Sequence, residues 1–299
     1  MKVGVLGSSG MIGRHLVNLC IEQGDEIRVA SRTPNSSRYH LDLVSRSGCP
    51  STFFEGLDVI YNCAGKIDGE DLYKVNVDGV EWLAREAEQF DLTWVQLSSA
   101  GIYAQDGSGV IDEKSSPLPR SDYEKSKMYA DQILGSALTH SVFVRPTTVL
   151  GRSMRSRWSS NLVRSIINNR FCYIGSREGT INAVGARDVA RAMALLAKKH
   201  DNPGASYLIN NPCSIQYFVD RVVSAFRLKR SNYPVVPFAV AKALALTPLM
   251  SKLTGLTEDA VTFLAGRSRF DPTLFVDKYR FHYDSDPVEL AIELYREGI

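Results

Sequence analysis

The sequence predicts an α/β fold: a doubly wound parallel sheet with helices on both faces, followed by a smaller C-terminal α/β region. Three observations predict it. Strand and helix signals alternate through the first half, the strands are near-continuous apolar runs, and the first strand leads directly into a glycine-rich turn. Beyond Gly151 clear strands become sparse. We therefore expect a first unit at 1–150 and a second at 151–299, interleaved in one compact body.

Each element of the first unit carries its own signal. Polar or glycine breaks separate apolar strand segments from stretches in which apolar residues recur at helical spacing. The predicted strands are KVGVL (2–6), EIRVAS (26–31), YHLDL (39–43), LDVIYN (57–62), TWVQLSS (93–99) and SVFVRPTTVLG (141–151), and the predicted helices are 11–22, 71–90 and 122–138.

The second unit has fewer elements. Its strand candidates are FCYIG (171–175) and SYLIN (206–210), and helical patterns occupy 186–199 and 215–226. A last helix follows in DPVELAIELYREG (286–298), where Ser285 or Asp286 is a suitable N-cap and Pro287 suits the first turn.

Composition excludes several function classes. The 35 Lys plus Arg nearly balance the 33 Asp plus Glu, and no basic block indicates nucleic-acid binding. Five cysteines without a C-x-x-C pair predict no metal site and a reducing compartment. The N-terminus lacks a secretory pattern, so we expect a cytoplasmic protein.

One apolar stretch, at 235–250, is too short to predict a membrane span. A spanning helix needs about 20 apolar residues, and Pro237, Lys242 and Pro248 interrupt this one. The stretch predicts a buried or interface helix, with a surface for an apolar substrate or a bilayer as the alternative.

The turn GSSGMIG, at 7–13, opens the first helix. Glycines at this spacing either make an ordinary strand-to-helix turn or let backbone N–H groups approach a pyrophosphate beside a helix N-terminus. The first gap is one residue longer than in the common dinucleotide fingerprint, but its place after the first strand favours the phosphate and a Rossmann-like sheet. The residues expected to bind it are Gly7, Ser9, Gly10, Met11, Ile12 and Gly13.

The second strand ends in ASRTP, with Ser31 and Arg32 where a carboxylate would bind an adenosine ribose. An arginine there can pair with a 2′-phosphate that a carboxylate would repel. The pattern favours NADP(H), with NAD(H) as the alternative if Arg32 is only a solvated loop residue.

Tyr123 and Lys127 lie four residues apart in a predicted helix, so their side chains share one face. A tyrosine with an ordinary pKa of about 10 is a poor acid–base catalyst at neutral pH, and a fixed ammonium beside it would lower that pKa. The pair therefore predicts a tyrosine general acid/base tuned by a lysine.

Taken together, the motifs resemble those of the extended short-chain dehydrogenase/reductases, a family that includes epimerases, dehydratases and 4-keto reductases of nucleotide sugars. The resemblance covers nearly the whole chain, in the family's order. The matching motifs are GSSGMIG (7–13), LDL (41–43), NCAG (62–65), NVDG (76–79), LSSAGIY (97–103), YEKSK (123–127), RPTTVLG (145–151) and NAVGARDVARAM (182–193).

The resemblance implies a role for each matching residue. Tyr123 would be the general acid/base, Lys127 would bind the nicotinamide ribose, and Ser99, in preference to Ser98, would hydrogen-bond the reacting oxygen of the substrate. The other implied cofactor contacts are Asp42 and Leu43 at the adenine, Cys63, Ala64 and Gly65 along the cofactor, Asn76 supporting the active-site helix, and Pro146 and Thr147 near the nicotinamide. Thr148 and Asn161 would face the substrate, and the family implies a homodimer through the helices at 71–90 and 122–138.

Two departures from the family pattern narrow the function. Ala100 and Gly101 replace the acidic pair of the dehydratase branch, which disfavours dehydration. Ile181 stands where many nucleotide-sugar enzymes have an arginine for the diphosphate. The possible replacements are Arg170, Arg177 and the cluster RSMRSR at 152–157.

The resemblance, together with Arg32, implies an NADP(H)-dependent oxidoreductase that reduces a keto group, most readily on a nucleotide sugar. Three alternatives stay open: an epimerase that retains NAD, a reductase of an apolar carbonyl compound, and a non-catalytic NADP-sensing protein. The expected partner is a small-molecule substrate, with no nucleic acid and no membrane span.

Overall fold

The structure is a computed structural model that describes residues 1–33, 37–103, 109–154, 157–199, 203–229, 232–247 and 258–299. Its strands are β1 (Lys2–Leu6), β2 (Glu26–Ser31), β3 (Tyr39–Asp42), β4 (Ser47–Gly48), β5 (Val59–Asn62), β6 (Thr93–Leu97), β7 (Gly109–Ile111), β8 (Ser141–Pro146), β9 (Thr148–Leu150), β10 (Tyr173–Ile174), β11 (Thr180–Ile181), β12 (Ala183–Gly185), β13 (Ala205–Ile209), β14 (Cys213–Ser214), β15 (Val235–Val236) and β16 (Ser268–Phe270).

The α-helices are α1 (Met11–Glu22), α2 (Pro50–Phe54), α3 (Gly79–Ala87), α4 (Asp122–Ala137), α5 (Trp158–Ile167), α6 (Ala186–Lys199), α7 (Ile215–Ala225), α8 (Phe238–Leu246), α9 (Glu258–Ala265), α10 (Thr273–Tyr279) and α11 (Pro287–Arg296). A π-helix at Lys74–Asp78 leads into α3, and a 3-10 turn at Ala100–Ile102 follows β6.

Eight strands form the central sheet, in the order β13-β8-β6-β5-β1-β2-β3-β4. All neighbours pair in parallel except β3 with β4. From β1 the chain builds outward through β2 and β3, then returns to β5 on the other side. The strand order therefore reverses between β1 and β5, and ligands of such sheets bind at the carboxyl ends of the strands at this point.

Helices cover both faces of the sheet, because apolar side chains of the strands alternate between them. On one face Val3 and Val5 of β1 pack with residues of α1 and α6. On the other, Leu6 and Ile60 pack with residues of α3 and α4. The predicted doubly wound α/β fold is confirmed.

The structure also corrects several predicted elements. The helix expected at 71–90 begins with the π-turn that carries Asn76, so its α-helical part is shorter. The strand expected at 141–151 divides at Thr147, whose backbone N–H donates to the carbonyl of Ile209 while β9 pairs with β12. β13 comes from the second half of the chain and extends the main sheet beside β8.

The apolar stretch at 235–250 forms β15 and α8, and its last three residues lie outside the described part of the chain. Ala241 is the buried residue of α8, whereas Val240 and Leu246 are 49% and 60% exposed. Within the described residues, no helix combines the length and the apolar character needed to cross a bilayer.

Candidate active site

The glycine turn lies at the carboxyl end of β1, where the strand order reverses. Gly7 has a φ of +73°, and a Cβ there would come within 2.6 Å of the Ala64 backbone nitrogen. A Cβ on Gly13 would come within 2.2 Å of the Gly7 carbonyl oxygen. Glycine is therefore required at both positions, because the turn packs directly on the loop after β5 and on the first turn of α1.

The first turn of α1 leaves its backbone N–H groups available. Gly10 is the N-cap, no side chain caps the helix, and no acidic residue occupies its first turn. Such N–H groups, with the positive end of the helix dipole, bind anions. The predicted residues from Gly7 to Gly13 thus form a cradle that fits the pyrophosphate of a dinucleotide.

Basic side chains gather at the ends of β2 and β3. Ser31 pairs in register with His40, and the His40 Nε2 atom lies 3.1 Å from the Arg32 carbonyl oxygen. Arg38 precedes β3 and lies over the ring of Tyr39, at 5.5 Å. Sequence reasoning missed Arg38 and His40; the alignment of β3 beside β2 brings His40 next to Arg32, and Arg38 precedes His40 by two residues.

Asp42 and Leu43 are engaged in their own turn and in the core. The Asp42 carboxylate accepts hydrogen bonds from the Val44 backbone N–H at 3.0 Å and the Ser45 hydroxyl at 2.8 Å. Leu43 packs beside Gly79, where a Cβ would lie 2.7 Å from the leucine Cβ. Their role at an adenine stays a prediction.

The loop after β5 approaches α4 closely. A Cβ on Gly65 would lie 3.2 Å from the Lys127 Nζ atom and 3.3 Å from the Asn76 Oδ1 atom. Asn76 accepts from the Lys66 N–H and donates to the Lys66 carbonyl, both at 2.8 Å, and donates to the Ser126 hydroxyl at 2.9 Å. Asn76 therefore ties this loop to the helix of Tyr123 and Lys127.

The two residues beside Gly65 differ in environment. The Cys63 thiol lies 3.9 Å from the Met193 sulfur of α6, and burial raises the pKa of that thiol to about 12. The Ala64 backbone N–H donates to the Asn62 side-chain oxygen at 3.1 Å. The loop is held in place by its own residues and offers mainly backbone and apolar surface to a ligand.

The helix α4 begins with a complete capping box. The Ser121 hydroxyl accepts from the Glu124 N–H, and the Glu124 carboxylate accepts from the Ser121 N–H at 2.9 Å. This cap fixes the first turn of α4, which carries Tyr123. One turn later the Lys127 Nζ donates to the Leu97 carbonyl oxygen at 2.9 Å.

The side chains of Ser99, Tyr123 and Lys127 lie together at the end of β6. The Ser99 hydroxyl lies beside the Tyr123 phenol and accepts from the Gly101 N–H at 3.1 Å. Lys127 Nζ lies 6.0 Å from the centre of the Tyr123 ring. Ser98, by contrast, is buried and its hydroxyl donates to Asp131 at 2.8 Å. Of the two serines, Ser99 is the one beside the tyrosine.

Burial governs the ionisation of these groups. It raises the pKa of the Tyr123 phenol above its usual value, and the neighbouring Ser99 hydroxyl opposes that rise. The net direction is opposite to the lowering expected from a neighbouring ammonium. Burial also lowers the pKa of Lys127, and the Asp131 carboxylate opposes that lowering. Asp131 is a charged neighbour that sequence reasoning missed, although it continues the four-residue spacing of Tyr123 and Lys127.

The remaining predicted residues lie around the strands that follow α4. Pro146 is buried at the end of β8, and the Thr147 hydroxyl donates to the buried Asn210 side chain at 2.8 Å. Thr148 is exposed at the start of β9. Asn161 is exposed on α5, and its side-chain oxygen accepts from Arg164 at 3.2 Å. Asn161 is therefore engaged within its own helix.

Metal chemistry has no support in the described part of the chain. No group of three or more His, Cys, Asp or Glu side chains there could hold an ion. The arrangement instead offers a phenol, a hydroxyl and an ammonium beside an anion-binding turn. These groups suit proton transfer to an oxygen next to a bound nucleotide.

Comparison with known proteins agrees with this geometry. The family model described as the NAD dependent epimerase/dehydratase family matches residues 3–210. A sterol-4-alpha-carboxylate 3-dehydrogenase (decarboxylating) from Dictyostelium discoideum is 24% identical over 290 residues, which cover 85% of this chain and 86% of that protein. A 3-beta-hydroxysteroid dehydrogenase from Mycolicibacterium neoaurum is 24% identical over 298 residues, 88% of this chain and 81% of its own.

Solved structures share the fold. A UDP-glucuronic acid 4-epimerase from Bacillus cereus in complex with NAD superimposes with a TM-score of 0.69 at 16% sequence identity. The match covers 99% of this chain and 100% of that one. At this identity the likeness concerns the fold.

Proposed function

Because the chain belongs to the NAD-dependent epimerase/dehydratase family and is an NAD(P)-dependent enzyme of the short-chain dehydrogenase/reductase type, we propose that it interconverts a ketone and a secondary alcohol. In the favoured direction it reduces the ketone with NADPH. Ser99, Tyr123 and Lys127 are the proposed catalytic residues.

The placement of the Ser99 hydroxyl beside the Tyr123 phenol is the observation that carries this proposal. It sets two hydroxyl groups side by side at the open end of β6, where one carbonyl oxygen can accept a hydrogen bond from each. Tyr123 donates its proton to that oxygen as the alcohol forms, and accepts it back in the reverse direction. Ser99 holds the oxygen, and Lys127 stabilises the phenolate that remains.

The residues around the site fit a nicotinamide dinucleotide. The glycine turn would hold the pyrophosphate, since Gly7 and Gly13 let the turn pack closely on the loop after β5 and on the first turn of α1, whose N–H groups no side chain caps. Gly65 would leave room beside Lys127 for a ribose. When bound, the nicotinamide supplies or accepts the hydride at the carbon of the reacting C–O bond.

A preference for NADP(H) is supported by the basic groups at the ends of β2 and β3. Arg32 is exposed there, the His40 ring contacts the Arg32 carbonyl, and Arg38, two residues before His40, lies over Tyr39. A ribose 2′-phosphate would gain charge-assisted hydrogen bonds from these groups, whereas a free 2′-hydroxyl would gain less. NAD(H) is the alternative cofactor.

The substrate class we favour is an apolar carbonyl compound. The two relatives described above are named for sterol and steroid substrates. In this chain α8 is apolar over most of its surface and leaves Val240 and Leu246 exposed in the second unit. Burying such side chains against a hydrophobic substrate would contribute binding free energy.

A nucleotide sugar, the substrate expected from the sequence, is the second candidate. The fold neighbour that acts on a UDP-sugar supports it. One observation counts against it: Ile181, which stands where many nucleotide-sugar enzymes have an arginine for the diphosphate, is fully buried in the core. Two replacement arginines already have partners: Arg152 pairs with Glu293 and Glu297, and Arg177 donates to Asn232 and lies over Tyr173. Residues 155–156 of the RSMRSR cluster (152–157), to which Arg152 belongs, lie outside the described residues.

The test is NADPH oxidation by the purified protein with two matched substrate panels, keto-steroids and 4-keto nucleotide sugars. We expect turnover with the first panel. Turnover with the second alone would replace the apolar substrate by the nucleotide sugar. Tightly held NAD released by denaturing the protein, with no net turnover in either panel, would favour the epimerase.

A homodimer through α3 and α4 is also proposed. A groove of about 410 Å³ runs between these helices, lined by Glu81, Ala84, Arg85, Glu88, Gln132, Ile133, Ser136 and Ala137. A second copy of the same helices would fill it. Light scattering after size exclusion should give twice the chain mass for the unsubstituted protein and the single mass for Ser136→Arg, because Ser136 is an exposed residue of this groove.

A further inference from the structure

Three consecutive residues at the end of β6 contact three residues of α4 that are spaced one turn apart. Ser99 contacts Tyr123, the Leu97 carbonyl accepts from Lys127 at 2.9 Å, and the Ser98 hydroxyl donates to Asp131 at 2.8 Å. Asp131 therefore lies in the same row as the proposed acid/base and its lysine, yet none of the roles described so far uses it.

Asp131 is buried together with a guanidinium. Arg145 donates to the Asp131 Oδ2 atom from Nε at 3.2 Å and from Nη2 at 3.0 Å. The Asp131 side chain is only 6% exposed and the Arg145 side chain 14%. Arg145 Nη1 donates to the Tyr103 hydroxyl and to the Ser206 hydroxyl at 2.9 Å. In such a low-dielectric setting, charges act over longer distances than at the surface.

The two oxygens of the Asp131 carboxylate are unequally satisfied. All of the donors described above converge on Oδ2, whereas the buried Oδ1 finds no hydrogen-bond partner among the described residues. Its charge is therefore incompletely neutralised by hydrogen bonds. Lys127, one turn before it on the same face of α4, lies in its field.

We propose that the Asp131–Arg145 pair sets the ionisation of Tyr123 and Lys127. Asp131 is a positioning residue that keeps Lys127 an ammonium at the Leu97 carbonyl. Arg145 limits the negative potential that reaches the Tyr123 phenol. This inference rests on the proposed roles of Tyr123 and Lys127, and it adds two residues that act through them.

The charged and titratable groups around the pair agree with these roles. Burial lowers the pKa of Lys127, and Asp131 and then the Cys63 thiol, from the loop after β5, oppose that lowering. Burial raises the pKa of Tyr123, and Glu124 and Asp131 add to the rise.

Opposing effects act on the pKa of the Asp131 carboxyl itself. Burial raises its pKa, whereas Arg145, the Ser98 hydroxyl and Lys127 lower it. Because an arginine does not lose its proton in proteins, removing the carboxylate leaves an uncompensated cation beside the site.

The two single substitutions should act in opposite directions. Asp131→Asn makes the potential at the site more positive, so the pKa values of both Tyr123 and Lys127 fall. Arg145→Met leaves the carboxylate unpaired, so both pKa values rise. The double variant Asp131→Asn/Arg145→Met should return close to the unsubstituted protein. Loss of packing alone cannot produce opposite shifts that cancel.

The direct test is an NMR titration of tyrosine labelled with ¹³C at Cζ, in the protein without substrate. The Tyr123 signal is the one missing from Tyr123→Phe. In Asp131→Asn we expect the phenol to ionise about one pH unit lower than in the unsubstituted protein, as a unit charge at this range predicts. In Arg145→Met it should ionise higher. The control is Asp122→Asn, since that carboxylate is 77% exposed and screened by solvent.

The outcome that overturns the proposal is equal ionisation of Tyr123 in Asp131→Asn and the unsubstituted protein wherever both are folded. If Asp131→Asn does not fold, comparison of the double variant with Arg145→Met isolates the same carboxylate. The titration needs no substrate, so it stands even if no ketone is turned over. Where turnover is found, the alkaline limb of the kcat/KM profile should move with the same signs.

Discussion

The phenol of Tyr123 and the hydroxyl of Ser99 lie side by side at the carboxyl end of β6. The next residue back, Ser98, turns into the interior and donates to Asp131. Because successive side chains of a strand alternate in direction, the two serines serve different partners. Ser99 can reach a substrate oxygen, and Ser98 supports the buried charges behind it.

Replacing Ser99 with alanine should lower kcat/KM for the ketone by roughly tenfold to a thousandfold, since a donor to the reacting oxygen is lost. Ser98→Ala is the matched control. It removes a donor from a buried carboxylate, so we expect it to reduce the free energy of unfolding by about 1–3 kcal/mol. Steady-state kinetics and urea unfolding of both variants separate the two effects. Equal kinetic losses in the two would contradict the assignment of Ser99.

Arg32→Ala should weaken NADPH binding by roughly ten- to a hundredfold while leaving NADH binding nearly unchanged, because only the 2′-phosphate pairs with the guanidinium. Arg38→Ala should act in the same sense. Titration of intrinsic fluorescence with each nucleotide measures both affinities. Arg221→Ala is the control, since that arginine pairs with Glu289 on the second unit. Parallel weakening of NADH and NADPH would contradict the preference.

Gly7→Ala and Gly24→Ala separate backbone strain from crowding. Both glycines have a φ of +73°, but a Cβ at Gly24 meets nothing within 4 Å, whereas at Gly7 it meets the Ala64 nitrogen at 2.6 Å. Gly24→Ala should cost about 1–2 kcal/mol of unfolding free energy. Gly7→Ala should cost a further 1–3 kcal/mol or so and also weaken nucleotide binding. Similar losses of stability and affinity in both variants would contradict the proposal that the glycine turn binds the pyrophosphate.

The stability of the fold should carry a pH dependence from Glu113. Its carboxylate accepts from the Leu208 N–H at 2.8 Å, and burial raises its pKa. A raised folded-state pKa contributes stability that is fully present below the unfolded-state value of 4.5 and is lost as pH rises through the folded-state value. Glu113→Gln keeps the acceptor and cannot ionise. The variant should therefore gain stability over the unsubstituted protein at pH 7.5 but not at pH 4, as measured by urea unfolding. A gain confined to pH 4 would contradict this.

Local signals made most of the first half predictable. The apolar runs of β1, β5, β6 and β8 and the glycine turn follow from residues close in sequence. The pairing of β13 with β8 could not be predicted in this way, because the two strands are far apart in the chain. The π-turn at Lys74–Asp78 was also missed, because Asn76 is held there by Lys66 and Ser126 rather than by helical propensity.

The same difference between local signals and contacts across long stretches of chain applies at the candidate active site. Tyr123 and Lys127 were predicted because one helix carries both. The partner of Asp131 was not, since Arg145 comes from β8. The expected lowering of the Tyr123 pKa was wrong because burial, which a sequence does not display, raises that pKa. His40 was missed because its place beside Arg32 depends on the register of β3 with β2.

The most direct measurement of the central claim is the rate of NADPH oxidation by Tyr123→Phe with a ketone that the unsubstituted protein reduces. Tyr129→Phe is the control, since Tyr129 is 41% exposed on the same helix. We predict that Tyr123→Phe binds NADPH with unchanged affinity and turns over roughly 10²- to 10⁴-fold more slowly, while Tyr129→Phe keeps full activity. Undiminished turnover in Tyr123→Phe would contradict the proposed function.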